Sequence, residues 1–206
     1  MRLIACTIIL SLTLLLTSLP LFANWVNIAS SLRTATVPIY CSLHDRITCT
    51  AFSIDQEKGH YITTAHCLHP VDGDDSDLPL IDQQTLEILF ESAHFDIAVI
   101  KITTQRPALT IQPLPLQQGM HVATLGYANG RSVPSLRTSV VSKLDMTPDE
   151  VPFVGFDNAL VGGMSGGPIV DRSGKVVGIA TRSDTQAGYS LTIQLIYEHT
   201  KQFWAQ

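Results

Sequence analysis

The chain has 206 residues, is 45% hydrophobic and 15% charged, and carries a formal net charge of −5. The apolar share excludes a disordered chain, and the length suits one all-β unit of two small barrels, each with a modest core. A mildly acidic balance without a basic run argues against a nucleic-acid partner.

In chain order, Met1-Arg2 precede an uncharged apolar run from Leu3 to Leu19, closed by Pro20-Leu21-Phe22-Ala23. A positive start, an apolar run and a small residue at a cleavage point read as a secretory signal over residues 1–23. The mature chain, 24–206, is then secreted or periplasmic. The alternative is an uncleaved anchor, since the run approaches spanning length, and only in that case is a membrane a partner. Leu3-Ile4-Ala5-Cys6 faintly resembles a lipoprotein box but lies before the apolar run, on the wrong side of it.

The rest of the chain reads as short strands broken by turn residues. Val37–Leu43 and Ile47–Ile54 are the first two runs and, if they pair as a hairpin, turn around Asp45. His60–Thr64 follows a loop over Asp55-Gln56-Glu57-Lys58-Gly59, and Leu86–Phe90 and Phe95–Ile102 come next. Asp72-Gly73-Asp74-Asp75-Ser76-Asp77 has carboxylates that suit calcium, but it lacks the glycine and the terminal glutamate of an EF-hand loop, so a solvated acidic loop is expected. From Gln105-Arg106-Pro107 to Pro113-Leu114-Pro115 the chain is punctuated by proline and has no helical period, as a linker would be. A second set of strands is expected at Met120–Gly126, Leu136–Leu144, Val151–Phe156, Gly167–Asp171, Lys175–Arg182 and Tyr189–Gln194. Leu195, Ile196, His199 and Phe203 then recur at helical spacing and predict a short C-terminal helix over 194–204. The fold class is therefore all-β, two six-stranded antiparallel barrels with that helix: first barrel about 37–104, linker about 105–117, second barrel and helix about 118–206.

Chemistry concentrates in three segments: Thr64-Ala65-His66-Cys67, Asp96-Ile97-Ala98-Val99 and Gly163-Met164-Ser165-Gly166-Gly167-Pro168. A serine hydroxyl barely ionises at neutral pH and needs a base to take its proton. An imidazole is such a base, and a buried carboxylate fixes its tautomer. Glycines around Ser165 let the backbone turn so that neighbouring N–H groups converge on a developing oxyanion. Gly163 to Gly167 also fits G-x-S-x-G, the nucleophile elbow of α/β-hydrolases, but that fold needs a helix right after the serine and a histidine later in the chain. Here Pro168 sits three residues past Ser165, two strands turn around Arg172-Ser173-Gly174, and only His199 lies beyond. His94 is the rival to Asp96 in its own neighbourhood, two residues earlier on the same strand face, and reads as a rim residue.

These segments, in the order histidine, aspartate, serine, resemble a trypsin-like (chymotrypsin-fold) serine peptidase, nearer the compact bacterial HtrA-like members without a PDZ domain. The likeness runs from about Val37 to Gln206 through Ile62–Cys67, Asp96–Ile102, Val122–Tyr127, Gly163–Asp171 and Gly174–Thr181. It implies a serine endopeptidase acting on protein or peptide, without metal or organic cofactor, whose substrate lies between the barrels. His66, Asp96 and Ser165 would be the triad, and the N–H groups of Gly163 and Ser165 the oxyanion hole. Ala159 and Leu160 would form the base of the specificity pocket, with Thr181, Arg182, Ser183 and Gly188 as walls. With no carboxylate at the base, a neutral, small or medium apolar residue is expected before the scissile bond. Arg182 is the group that would favour acidic residues if it reached over the mouth.

Two departures stand out. No PDZ-sized segment follows the barrel, so regulation of that kind is not implied. Met164 stands where members activated by cleavage carry an aspartate that receives the new N-terminal ammonium. The resemblance also implies a Cys49–Cys67 disulfide. Against it stands the hairpin around Asp45, which would set Cys41 opposite Cys49. If Cys49 pairs with Cys67, Cys41 is a buried free thiol. Two readings from other classes remain: a peptide-binding chain that does not cut, and an esterase on the same barrels. The oligomeric state is not legible.

Overall fold

The computed structural model describes residues 25–41, 46–69, 79–146, 151–183 and 187–205. The N-terminal apolar run, the acidic 72–77 loop and the tip of the first hairpin lie outside them.

The strands fall into two sheets. The first contains β1 (Thr36–Cys41), β2 (Arg46–Asp55), β3 (His60–Thr63), β4 (Pro79–Ile81), β5 (Gln84–Thr85), β6 (Glu87–Ser92) and β7 (Ile97–Lys101), in the spatial order β5-β4-β1-β2-β3-β7-β6. The second contains β8 (His121–Gly126), β9 (Ser135–Met146), β10 (Pro152–Phe156), β11 (Pro168–Val170), β12 (Val176–Ser183) and β13 (Gly188–Thr192), closed into a barrel in the order β10-β13-β12-β11-β8-β9. All pairings between named strands are antiparallel.

The closed six-stranded barrel is the one expected. The other unit departs from a six-stranded barrel: it is a seven-stranded sheet that curls without closing its ladder. Its two edge strands, β5 and β6, are separated by the single residue Leu86, so the sheet must bend round until its edges meet. The extra strands β4 and β5 are a small hairpin whose central residues, Asp82 and Gln83, both take positive φ. No glycine marks that turn, so it was not legible as one.

Period-2 alternation explains how the two units share a core. On β2, Cys49 and Ala51 point into the core of the first sheet with Ile39, Tyr61, Ala98 and Ile100. Phe52 and Ile54 point the other way and pack with Ile62, Ile97 and Val99 against Leu125, Val170 and Ile179 of the barrel. Strands buried on both faces read as near-continuous apolar runs, as Ile97–Ile100 does. The barrel interior holds Val122, Val141, Val154, Phe156, Ile169 and Val177. The linker is not a loose tether. The Leu109 N–H donates to Ser53 O, Gln112 N–H to Val176 O, and Val176 N–H to Thr110 O.

Two helices complete the fold. α1 (Trp25–Ala35), which the sequence reading did not anticipate, buries Ile28, Leu32 and Ala35 on one face and runs directly into β1. Their i, i+4, i+7 spacing was the available signal. α2 (Ile193–Thr200) and the 3-10 turn Lys201–Phe203 occupy the expected C-terminal position. α2 starts at Ile193, so Gln194 belongs to the helix and not to β13. The segment binds both units: Ile193 and Ile196 are buried between them, Trp204 packs on Phe52, and the Ala205 N–H donates to Ile54 O.

Candidate active site

β3 ends at Thr63, and the chain tightens at once into the 3-10 turn Ala65–Leu68. That turn buries Ala65, Cys67 and Leu68 and leaves His66 half-exposed at the lip. The Cys49–Cys67 disulfide, with Cα atoms 5.9 Å apart, ties the turn to β2. The hairpin alternative is not taken: β1 and β2 pair in a register that sets Ile39 opposite Cys49 and Cys41 opposite Arg46, with a bulge between. The side chain of Cys41 lies outside the described residues. His66 and the two bridged cysteines cluster within 4.8 Å. Their sulfurs are spent in the disulfide and offer no thiolate to a metal.

Asp96 ends the turn between β6 and β7 and takes φ of +54°, a left-handed conformation that aspartate tolerates better than most residues. This places its carboxylate, 12% exposed, against His66. His66 Nδ1 lies 3.0 and 2.9 Å from the two carboxylate oxygens, and the His66 backbone N–H donates to Oδ1 at 3.0 Å. An ionised carboxylate only accepts, so the Nδ1 proton sits between them and the Nε2 lone pair is left free. His94 sits in the same turn rather than on a strand, exposed, with its ring on Phe95 at 4.6 Å. Phe95 in turn packs on His199 of α2 at 4.5 Å, so the C-terminal helix backs the turn that presents Asp96.

Ser165 lies in a loop bent by two glycines of positive φ, Gly163 at +90° and Gly166 at +81°. A Cβ on Gly163 would sit 2.2 Å from Tyr127 O, and one on Gly166 2.1 Å from Thr50 O, so neither position admits a side chain. The loop is anchored on both sides: Gly166 N–H donates to Ala180 O, Ala180 N–H to Gly167 O, and Thr50 N–H to Ser165 O. Cys67 Sγ also lies 3.8 Å from Ser165 O, which puts the nucleophile candidate beside the histidine turn. Among the described residues, no acceptor takes the N–H of Gly163 or of Ser165. The Ser165 hydroxyl donates to Thr181 O at 3.2 Å, and no hydrogen bond joins it to His66.

Of the expected pocket residues, Gly188 meets Leu160 and Thr181 lies against Ser165. Gly188 at the start of β13 lies so close to Leu160 that a Cβ would come within 2.7 Å of Leu160 Cγ and 2.9 Å of Asn158 O. Ala159 lies between these contacts. Thr181 faces Ser165 through its carbonyl and donates its hydroxyl to Tyr189 O. The backbones of Arg182 and Ser183 continue β12, while their side chains lie outside the described residues. Thr50 and Thr63 were missed. Both are fully buried and make side-chain bonds beneath the Ser165 loop. Their only sequence signal is a place next to Cys49 and Thr64.

Residues 49–179 match the sequence profile of the trypsin-like peptidase domain. The chain belongs to that family. A probable periplasmic serine endoprotease DegP-like from Halomonas elongata is 33% identical over 143 residues, 66% of this chain and 29% of the relative. A putative serine protease HhoA from Synechocystis sp. is 33% identical over 111 residues, 48% of this chain and 28% of the relative. The chain thus spans under a third of the length of either. Among solved structures, the HtrA-type protease AlgW with a tripeptide superposes with a TM-score of 0.70 at 19% identity, covering 87% of this chain and 63% of that one. The Rv3671c protease from M. tuberculosis in its active form gives 0.70 at 18% identity, covering 87% and 85%. The HtrA-like resemblance read from the motifs therefore holds by sequence and by fold.

Proposed function

We propose that the chain is a serine endopeptidase that hydrolyses peptide bonds through an acyl-enzyme. The observation that carries this reading is the His66–Asp96 pair, its ring Nδ1 turned onto both carboxylate oxygens and its backbone N–H bonded to one of them, beside a glycine-bent Ser165 loop whose Gly163 and Ser165 N–H groups have no protein acceptor among the described residues. Ser165 Oγ turns from Thr181 O to His66 Nε2, gives up its proton there and bonds to the scissile carbonyl carbon. The N–H groups of Gly163 and Ser165 take the oxyanion. His66 then passes the proton to the leaving amine as the C–N bond breaks, and water repeats the sequence on the ester. An apo site in which the nucleophile is not yet bonded to its base is compatible with this chemistry.

Substrates are proteins or peptides, in keeping with the tripeptide bound to AlgW and the endoprotease name of the Halomonas relative. That relative's periplasmic description supports export, as the signal reading of residues 1–23 does. The pocket that the resemblance assigns to Ala159 and Leu160 holds no carboxylate, and Leu160 packs against Gly188, which supports a preference for a small or medium apolar residue before the scissile bond.

The test is a peptide-library profile of the mature chain beside Ser165→Ala, with a fluorophosphonate probe and matched amide and ester substrates. The parent should label at Ser165 and cleave amides after small apolar residues, and Ser165→Ala should do neither. Ser165 resting on Thr181 O also fits a chain that binds peptides without cutting; a parent that is unlabelled and inactive yet binds a library peptide would establish that reading instead. Hydrolysis of the ester alone would point to an esterase.

A further inference from the structure

Met164 is fully buried, with its backbone and Cβ packed close to Gly126. It offers nothing to an N-terminal ammonium, so the oxyanion loop must be held in another way. Thr50 supplies the contacts. By strand alternation Thr50 shares the face of Phe52 and Ile54, turned toward the second barrel and away from Cys49. It is fully buried, and each of its polar groups is used. Its hydroxyl donates to Gly163 O at 2.7 Å and accepts the Tyr127 N–H at 3.1 Å. Its N–H donates to Ser165 O at 2.8 Å, and its carbonyl accepts the Thr63 hydroxyl at 2.8 Å. One residue therefore holds the carbonyls of both residues whose N–H groups form the candidate oxyanion hole.

We propose that Thr50 is the positioning residue of the oxyanion loop, holding from the opposite sheet the peptide planes that follow Gly163 and Ser165, and through these residues' backbone angles the two N–H groups, without any cleavage-generated N-terminus. The inference rests on the serine-peptidase reading and deepens it. The hydroxyl matters beyond packing. Fixing the Gly163 carbonyl restricts rotation about the glycine, and a glycine at φ of +90° has no side chain to restrict it otherwise. The lock acts when negative charge develops on the substrate oxygen, so its loss falls on the transition state more than on ground-state binding.

The experiment compares the parent with Thr50→Ser and Thr50→Val on a peptide amide, and measures inhibition by a peptide aldehyde, whose hemiacetal oxygen occupies the oxyanion hole, and by a product peptide, which does not. Thr50→Val keeps shape and the backbone bond to Ser165 but removes the hydroxyl. Loss of one direct oxyanion donor costs about 10²–10³ in kcat, so loss of the lock behind it is expected to cost roughly tenfold or more. KM and product-peptide inhibition should stay near the parent values, aldehyde affinity should fall in parallel with kcat, and Thr50→Ser should restore all of it. Parent-like kcat and aldehyde affinity in folded Thr50→Val would overturn the proposal, as would equal losses in aldehyde and product binding. If Thr50→Val does not fold, Thr50→Ala carries the same comparison. An inactive parent overturns the peptidase reading, and this inference with it; an active parent with an indifferent Thr50→Val overturns the inference alone.

Discussion

At the scale of single residues, the geometry separates chemistry from folding most cleanly at Asp96. Its two oxygens hold the His66 ring, and Oδ1 also takes the His66 backbone N–H. Asparagine keeps the size and tolerates the left-handed φ of +54° that the turn demands. It loses the charge that stabilises the imidazolium and no longer dictates which ring nitrogen carries the proton. Asp96→Asn should therefore fold like the parent, by circular dichroism and thermal melting, while kcat falls by about 10⁴. A loss of less than tenfold would show that Asp96 serves only to shape the turn. The residues of this pair were legible in the sequence because their types and order carry the chemistry. Thr50 was not, because its role comes from strand parity and from the approach of two segments 113 residues apart.

At the scale of elements, strands with clear alternation or a buried run appeared within about two residues of their expected limits, the usual margin for ends that fray. α1, and the β4–β5 hairpin with its Asp82-Gln83 turn, did not. The first hides in a segment that joins a signal-like stretch to a strand, and the second lacks turn glycines. The disulfide was inferred from family likeness, and the β1–β2 register explains why the rival pairing is geometrically closed. It closes a short loop, with 18 residues of separation, between β2 and the turn carrying His66. On the chain-entropy argument a loop of this size is worth about 3 kcal/mol. Replacing Cys49 and Cys67 together by serine should lower stability by roughly that amount in urea unfolding. It should also lower kcat, because the His66 turn keeps its Asp96 contacts but loses its covalent tie. Unchanged stability under oxidising conditions would show that the bridge adds nothing beyond the packing of the turn.

For the whole molecule, the two units share an apolar core, and two buried tyrosines, one inside the first sheet and one reaching to it from the second barrel, should set the response to alkaline pH. Tyr61, fully buried on β3, donates its hydroxyl to Thr104 O at 2.8 Å, where the chain leaves the first sheet. Burial pushes its hydroxyl up to about 12; Arg106 opposes the rise, and the charge of Asp82 adds to it. Tyr127, whose hydroxyl reaches from the second barrel to Thr36 O on β1, is raised for the same first reason, burial, with Arg106 again opposing. In the unfolded chain a tyrosine titrates near ~10. Between that value and about 12 the folded chain holds protons that the unfolded chain has lost. The stabilisation is thus fully present below pH ~10 and disappears as pH rises through the folded value. Unfolding free energy from urea titrations should be flat near about pH 9 and then fall, each such tyrosine adding at most about 1.4 kcal/mol per pH unit to the slope. Tyr61→Phe should lose about 1 kcal/mol at about pH 8, where the bond to Thr104 O is missing, yet show a shallower alkaline fall than the parent. The gap between the two proteins should therefore narrow as pH rises above ~10. Parallel curves for parent and variant through about pH 11.5 would mean that Tyr61 ionises in the folded chain as readily as in the unfolded one, and that burial at the head of the linker does not govern alkaline stability.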